Sequence, residues 1–129
     1  MVTKQVKKPI ELYFETHDTK YLAEDVVFID MNSKGLTVGR EAVGNMLHYV
    51  YNLAFDAHAE ITNTIICDNN AVLEANFIGK HIGEYAGIPA SNKSVNVPLC
   101  VTYDLENSLI KVARIYMLES VLMEQINSK

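Results

Sequence analysis

The stretch Ile61-Thr62-Asn63-Thr64-Ile65-Ile66-Cys67-Asp68-Asn69-Asn70-Ala71-Val72-Leu73-Glu74-Ala75-Asn76-Phe77-Ile78 decides the fold. Two runs rich in apolar and β-branched residues flank Asp68-Asn69-Asn70, which has turn chemistry. The segment therefore reads as strand, tight turn and strand, predicted over Ile61–Cys67 and from Ala71 to about Ile82. The period of two continues through Val95–Leu105 and Leu109–Leu118, joined by Glu106-Asn107-Ser108. The longer link Gly83–Ser94 carries Gly87, Pro89, Asn92 and Lys93 and is expected to be an exposed excursion.

Upstream the period is helical. From Arg40 to about Leu53, Val43, Met46, Leu47, Val50 and Leu53 recur at i, i+3, i+4, i+7 and i+10, giving one apolar stripe. Val6, Ile10, Tyr13 and Phe14 predict an earlier helix over about Lys4–Thr16, with Pro9 limiting where its first turn begins. Asp18-Thr19 can cap a short turn around Tyr21-Leu22. Val26–Met31 reads as a buried strand, Asn32-Ser33-Lys34-Gly35 as a turn, and Glu119–Ile126 as a final helix. Helices followed by a four-strand meander give an α+β domain, with helices on one face of a curved antiparallel sheet. A sheet wrapped round a helix leaves a cone with one open mouth, where a pocket forms.

The 129 residues contain no repeat or linker and are read as one domain, 1–129. A net charge of -5 argues against a nucleic-acid partner and against an anionic membrane surface. The longest apolar run, Val26–Ile29, is far short of the roughly 20 residues that span a bilayer. Lys4, Lys7 and Lys8 are followed by Pro9, Glu11 and Glu15, not by the apolar region of a signal peptide. Cys67 and Cys100 are too few for a disulfide framework, so a cytoplasmic protein is expected. His17, His48 and His58 lack metal-ligand spacing, and no phosphate-binding glycine loop or nucleophile elbow occurs. No metal or other cofactor is expected.

Four segments resemble, in order, parts of the SnoaL-like polyketide cyclase family of the nuclear transport factor 2-like superfamily. They are Gly39-Arg40-Glu41-Ala42-Val43, Gly79-Lys80-His81-Ile82-Gly83-Glu84-Tyr85-Ala86-Gly87-Ile88-Pro89-Ala90, Val95-Asn96-Val97-Pro98 and Arg114-Ile115-Tyr116. The second is similar to the family's G-x-H-x-G-x-(aromatic)-x-G-I-P signature, and the resemblance runs from about Tyr21 to Ile126. It implies a cone-shaped α+β barrel, often dimeric, with a hydrophobic pocket for a small and often polycyclic ligand. The family's last strand carries an acid two positions after the Tyr; that place is Leu118 here, and the nearest carboxylate is Glu119. Neighbours in a strand face opposite ways, so Glu119 would need a bulge to replace it.

His81, between two glycines, is a candidate pocket acid-base group or an anchor for the loop that follows. Asp30 ends an apolar strand, as a base of raised pKa or as a turn cap. Tyr13 and Asp30 stand in the same order as the oxyanion donor and base of ketosteroid isomerases, which the resemblance brings into the comparison. Arg114, Tyr116 and Leu118 alternate onto one face, expected to line the pocket, with Asp30 or Glu74 as partner for Arg114. Met46, Tyr49, Phe77 and Tyr85 are further lining candidates. Ile115 and Met117 would then form an outward apolar patch for a homodimer. The expected function is to bind a small hydrophobic or polycyclic molecule, with the cyclase acid replaced by Leu118. The alternatives are a cofactor-free isomerase, cyclase or lyase that abstracts a proton next to a carbonyl, and a protein-interaction domain.

Overall fold

The computed structural model describes residues 2–128. Its helices are α1 (Lys4–Thr16), α2 (Arg40–His48) and α3 (Glu119–Asn127). Its strands are β1 (Leu22–Asp30), β2 (Leu36–Val38), β3 (Phe55–Ile66), β4 (Asn70–His81), β5 (Ser94–Glu106) and β6 (Leu109–Met117). They form one sheet in the order β2-β1-β6-β5-β4-β3. The class is α+β, as the pattern predicts, but the sheet is mixed, because β1 runs parallel to β6, and it does not close, its edge strands β2 and β3 lying at opposite ends. No helix among the described residues is long and apolar enough to cross a membrane.

Two strands depart from the sequence expectation for local reasons. The β2 strand is only three residues long, too short to display a period, and pairs with Val27–Ile29 of β1. The β3 strand starts at Phe55, not Ile61, because its inward positions Ala57 and Ala59 are small and its outward ones are Asp56, His58 and Glu60. Alternation with alanine carries little hydrophobic signal. Helix α1 begins well ahead of Pro9, which lies inside it.

The predicted helix over Arg40–Leu53 is realised in two parts. After His48 the chain widens into a π-helical segment, Tyr49–Ala54. The wider turn rotates every later side chain relative to the apolar stripe. Leu53, expected to continue that stripe, is 54% exposed, whereas Ala54 is fully buried. Tyr51 turns toward the sheet by the same rotation.

The helices cover one face of the sheet. Val6, Ile10, Tyr13 and Phe14 of α1 pack with Leu22, Val26, Phe28, Leu73, Val101, Tyr103 and Ile110. Each such side chain, fully buried, contributes about 1.5–3 kcal/mol. A second cluster joins Phe55, Phe77, Val95 and Val97 to Leu122 and Ile126 of α3.

On β6 the parity is the reverse of the one expected. A register irregularity lies between Asp104 and Leu105. Ile115 and Met117 face the helices, while Tyr116 is 46% exposed on the outer face. Arg114 lies outside too, paired with Asp104 at 2.9 Å and not with Asp30 or Glu74. The guanidinium donates to both oxygens of that carboxylate, which raises its already high pKa. Solvent screens a pair this exposed, so Asp104→Asn is expected to change unfolding free energy by less than about 1 kcal/mol in urea titrations. A larger loss would mean that the outer face carries more of the fold than its exposure implies.

Candidate active site

Beside the 31–35 turn, the space between the helices and the sheet is left open as a cavity of about 350 Å³. Its walls are mainly apolar and include Phe28, Met46, Leu73, Phe77, Val101, Ile115 and Met117. Polar groups enter it in two sets.

The deeper set comprises Tyr13 and Tyr103, which are buried, and Tyr51 and His17, which are half-buried. Tyr13 is on the inner face of α1, and His17 follows one turn later as the left-handed residue that ends the helix. The Tyr13 ring centre lies 6.1 Å from that of Tyr103 and 5.4 Å from that of His17, which is 4.7 Å from that of Tyr51. The three phenols make no hydrogen bond among the described residues, so their hydroxyls are free to meet a ligand. Burial pushes the Tyr51 phenol up to about 12. Burial and neighbouring phenols push Tyr13 and Tyr103 higher still. All three are O–H donors at physiological pH. Burial lowers the His17 pKa, which favours the neutral imidazole.

The set nearer solvent comprises Asp30, Tyr85 and Glu119. The Tyr85 hydroxyl donates to Glu119 Oε1 at 2.9 Å. Its pKa is raised first by burial, then by the Glu119 carboxylate, with a smaller effect of Asp30. Asp30 Oδ1 accepts the Asn32 backbone N–H at 2.9 Å, which makes it a turn cap on the cavity rim. Asn32 Nδ2 in turn donates to the Met117 carbonyl at 2.8 Å, fastening that turn to the end of β6.

Glu119 reaches the cavity without a bulge. The β6 strand stops at Met117, and Leu118 turns the chain into α3 with φ -75° and ψ 81°. Strand alternation therefore ends one residue before the glutamate. Leu118 is 51% exposed, and its carbonyl accepts the N–H groups of Val121 and Leu122. Glu119 opens α3, where the helix dipole favours a carboxylate.

Of the residues expected at the site, Tyr13, Asp30, Met46, Phe77 and Tyr85 line the cavity. Arg114, Tyr116 and Leu118 do not; all three lie outside it. Tyr49 is on the outer side of the π-helical segment, its hydroxyl donating to the Glu84 carbonyl. His81 is fully buried away from the cavity. Its Nδ1 accepts the Ser91 N–H at 3.2 Å and lies 2.8 Å from Ser91 Oγ, so it anchors the loop that follows. The flanking glycines have a packing role. A Cβ on Gly79 would come within 2.3 Å of the Asp56 carbonyl, and one on Gly83 within 2.2 Å of the Leu53 carbonyl. His17, Tyr51 and Tyr103 are cavity residues that the sequence reading does not single out, and Glu119, which it admits only through a bulge, reaches the cavity without one.

A family model of SnoaL-like polyketide cyclases matches residues 15–126. No curated protein matches the chain. Among solved structures, a protein assigned as a SnoaL-like polyketide cyclase from Jannaschia sp. CCS1 aligns with a TM-score of 0.87 at 16% identity, covering 99% of this chain and 95% of that one. IdmH from Streptomyces antibioticus, assigned as a polyketide cyclase, gives 0.75 at 14% identity over 95% and 98%. A protein of ketosteroid isomerase-like fold from Catenulispora acidiphila, in complex with trimethylamine, gives 0.71 at 17% identity over 96% and 94%. At these identities the likeness is one of fold.

Proposed function

This chain belongs to the SnoaL-like polyketide cyclase family, and we propose that it binds a small, largely apolar ketone in the cavity and moves a proton next to the carbonyl. The observation that carries this reading is Glu119 on the cavity wall, held by the Tyr85 hydroxyl at 2.9 Å. In this reaction the Glu119 carboxylate takes the α-proton, the electron pair of the C–H bond forms the C=C bond of the enolate, and the π pair of the carbonyl moves onto its oxygen. That oxygen accepts hydrogen bonds from the unpartnered phenols, Tyr13 and Tyr103 foremost, which stabilise the enolate. Return of the proton to another carbon gives isomerisation; attack of the enolate carbon on a second carbonyl gives ring closure. The apolar walls select a hydrophobic or polycyclic skeleton, and no cofactor is required by these steps.

The test is deuterium uptake by 2-tetralone in heavy water, followed by proton NMR. Exchange above the buffer rate is expected. Saturable binding of 2-tetralone with exchange at the buffer rate would replace this reading by one of ligand binding alone.

A second copy of the chain is the partner assigned to the outer sheet face. Ile115 and Met117, first expected there, face the cavity, so the pairing rests instead on Ile65 at 54%, Tyr116 at 46% and Leu118 at 51% exposure. Light scattering at tens of micromolar should give a dimer, reduced to monomer by Ile65→Lys combined with Tyr116→Lys. A monomeric parent protein would contradict the pairing. The two free cysteines, Cys67 and Cys100, fit the reducing cytoplasm.

A further inference from the structure

A second hollow, of about 560 Å³, lies on the surface between the end of α1, the π-helical segment and β3. Its lining includes Phe14, Ala57, Ala59 and Ile61, with the polar groups of His48, Asn52 and His58. Three residues, His17, Leu47 and Tyr51, belong to its lining and to that of the cavity as well. One layer of side chains therefore separates the two spaces. His17 and Tyr51 stack with ring centres 4.7 Å apart. Neither side chain makes a hydrogen bond among the described residues, so ring packing alone holds the partition. Both rings are half-buried, and moving them breaks no polar contact.

We propose that the groove is a second subsite for the cavity's ligand, entered between His17 and Tyr51. Its occupant is the chain of an elongated molecule whose apolar body fills the cavity and whose polar end lies among His48, Asn52 and His58. The continuity of the two linings favours such a ligand: past the shared residues His17, Leu47 and Tyr51, a chain attached to the body in the cavity meets the apolar side chains Phe14, Ala57, Ala59 and Ile61, whereas the mouth beside the 31–35 turn leads past Asp30 and Glu119 to solvent. The proposal rests on the reading that the cavity binds a small molecule, and it adds the shape of that molecule.

The test uses ω-(2-naphthyl)-1-alkanols with chains of two to eight carbons, titrated by fluorescence against the full chain. Each methylene that leaves water is worth roughly a three- to fourfold gain in affinity, so the long probes should bind at least about tenfold more tightly than the shortest. Ala59→Phe fills the groove from a residue that does not line the cavity. It should abolish that gain and leave the shortest probe unaffected. Asn52→Trp, at an exposed groove position, should do the same, and circular dichroism checks that both variants are folded. Tight binding of the shortest probe with no gain from length, or a gain that survives in both folded variants, would overturn the subsite and leave the cavity reading intact. Failure of every probe to bind would overturn both.

Discussion

Glu119→Gln is expected to slow α-proton exchange on bound 2-tetralone by about 10²–10⁴-fold, the usual worth of a positioned general base. The amide keeps the volume and can still accept from the Tyr85 hydroxyl, so the fold and the affinity for the ketone should change little. The loss should fall on turnover and not on KM, as expected when an interaction acts in the transition state. Asp30→Asn is the informative control. That carboxylate is committed to the Asn32 N–H and sits at an exposed turn, so exchange should fall much less than with Glu119→Gln. An equal or larger fall would transfer the base to Asp30.

Phe55→Ala should bring the largest loss of stability, about 3–5 kcal/mol in urea or guanidinium unfolding. Phe55 is fully buried, and its ring centre lies 5.2 Å from those of Phe77, His81 and Tyr85. One truncation therefore removes packing under a cavity wall, the anchor of the 82–93 loop and the aromatic ring that holds Glu119. Because domains are stable by only about 5–15 kcal/mol, this change alone could consume much of the margin. Phe55→Leu nearly conserves volume and should cost less than about 1.5 kcal/mol. A loss below 1 kcal/mol for the alanine variant would show that the second core cluster is not integral to the fold.

The order of helices, turns and main strands was legible because it rests on periodicity. The β4 and β5 strands carry apolar residues at nearly every second position, and the structure bounds them at Asn70–His81 and Ser94–Glu106. The site was only half legible. Tyr13 and Asp30 could be placed because each sits at a telling point of its element, the apolar face of a helix and the end of an apolar strand. Glu119 was hidden by assuming that strand alternation persists through Leu118, when the chain has already turned into α3. The parity of β6 had a plain signal in the sequence: Ile115 and Met117 are the apolar pair, and apolar side chains belong on the covered face. The family resemblance had favoured the polar pair Arg114 and Tyr116 for that face. Tyr51 was not legible from helical spacing, since its orientation comes from the π-helical widening. His17 lacks metal-ligand spacing, and its signal is instead its place one turn beyond Tyr13 on the same helix face.

If Glu119 and the deeper phenols act on opposite ends of one enolate, a crystal structure with 2-naphthol will show both sets of contacts at once. This molecule reproduces the shape of the 2-tetralone enol. The naphthol oxygen should lie within about 2.6–3.2 Å of a Tyr13 or Tyr103 hydroxyl, with ring carbon 1 roughly 3–3.5 Å from a Glu119 oxygen. A naphthol bound in the cavity with its oxygen away from the phenols and Glu119 turned to solvent would contradict that arrangement.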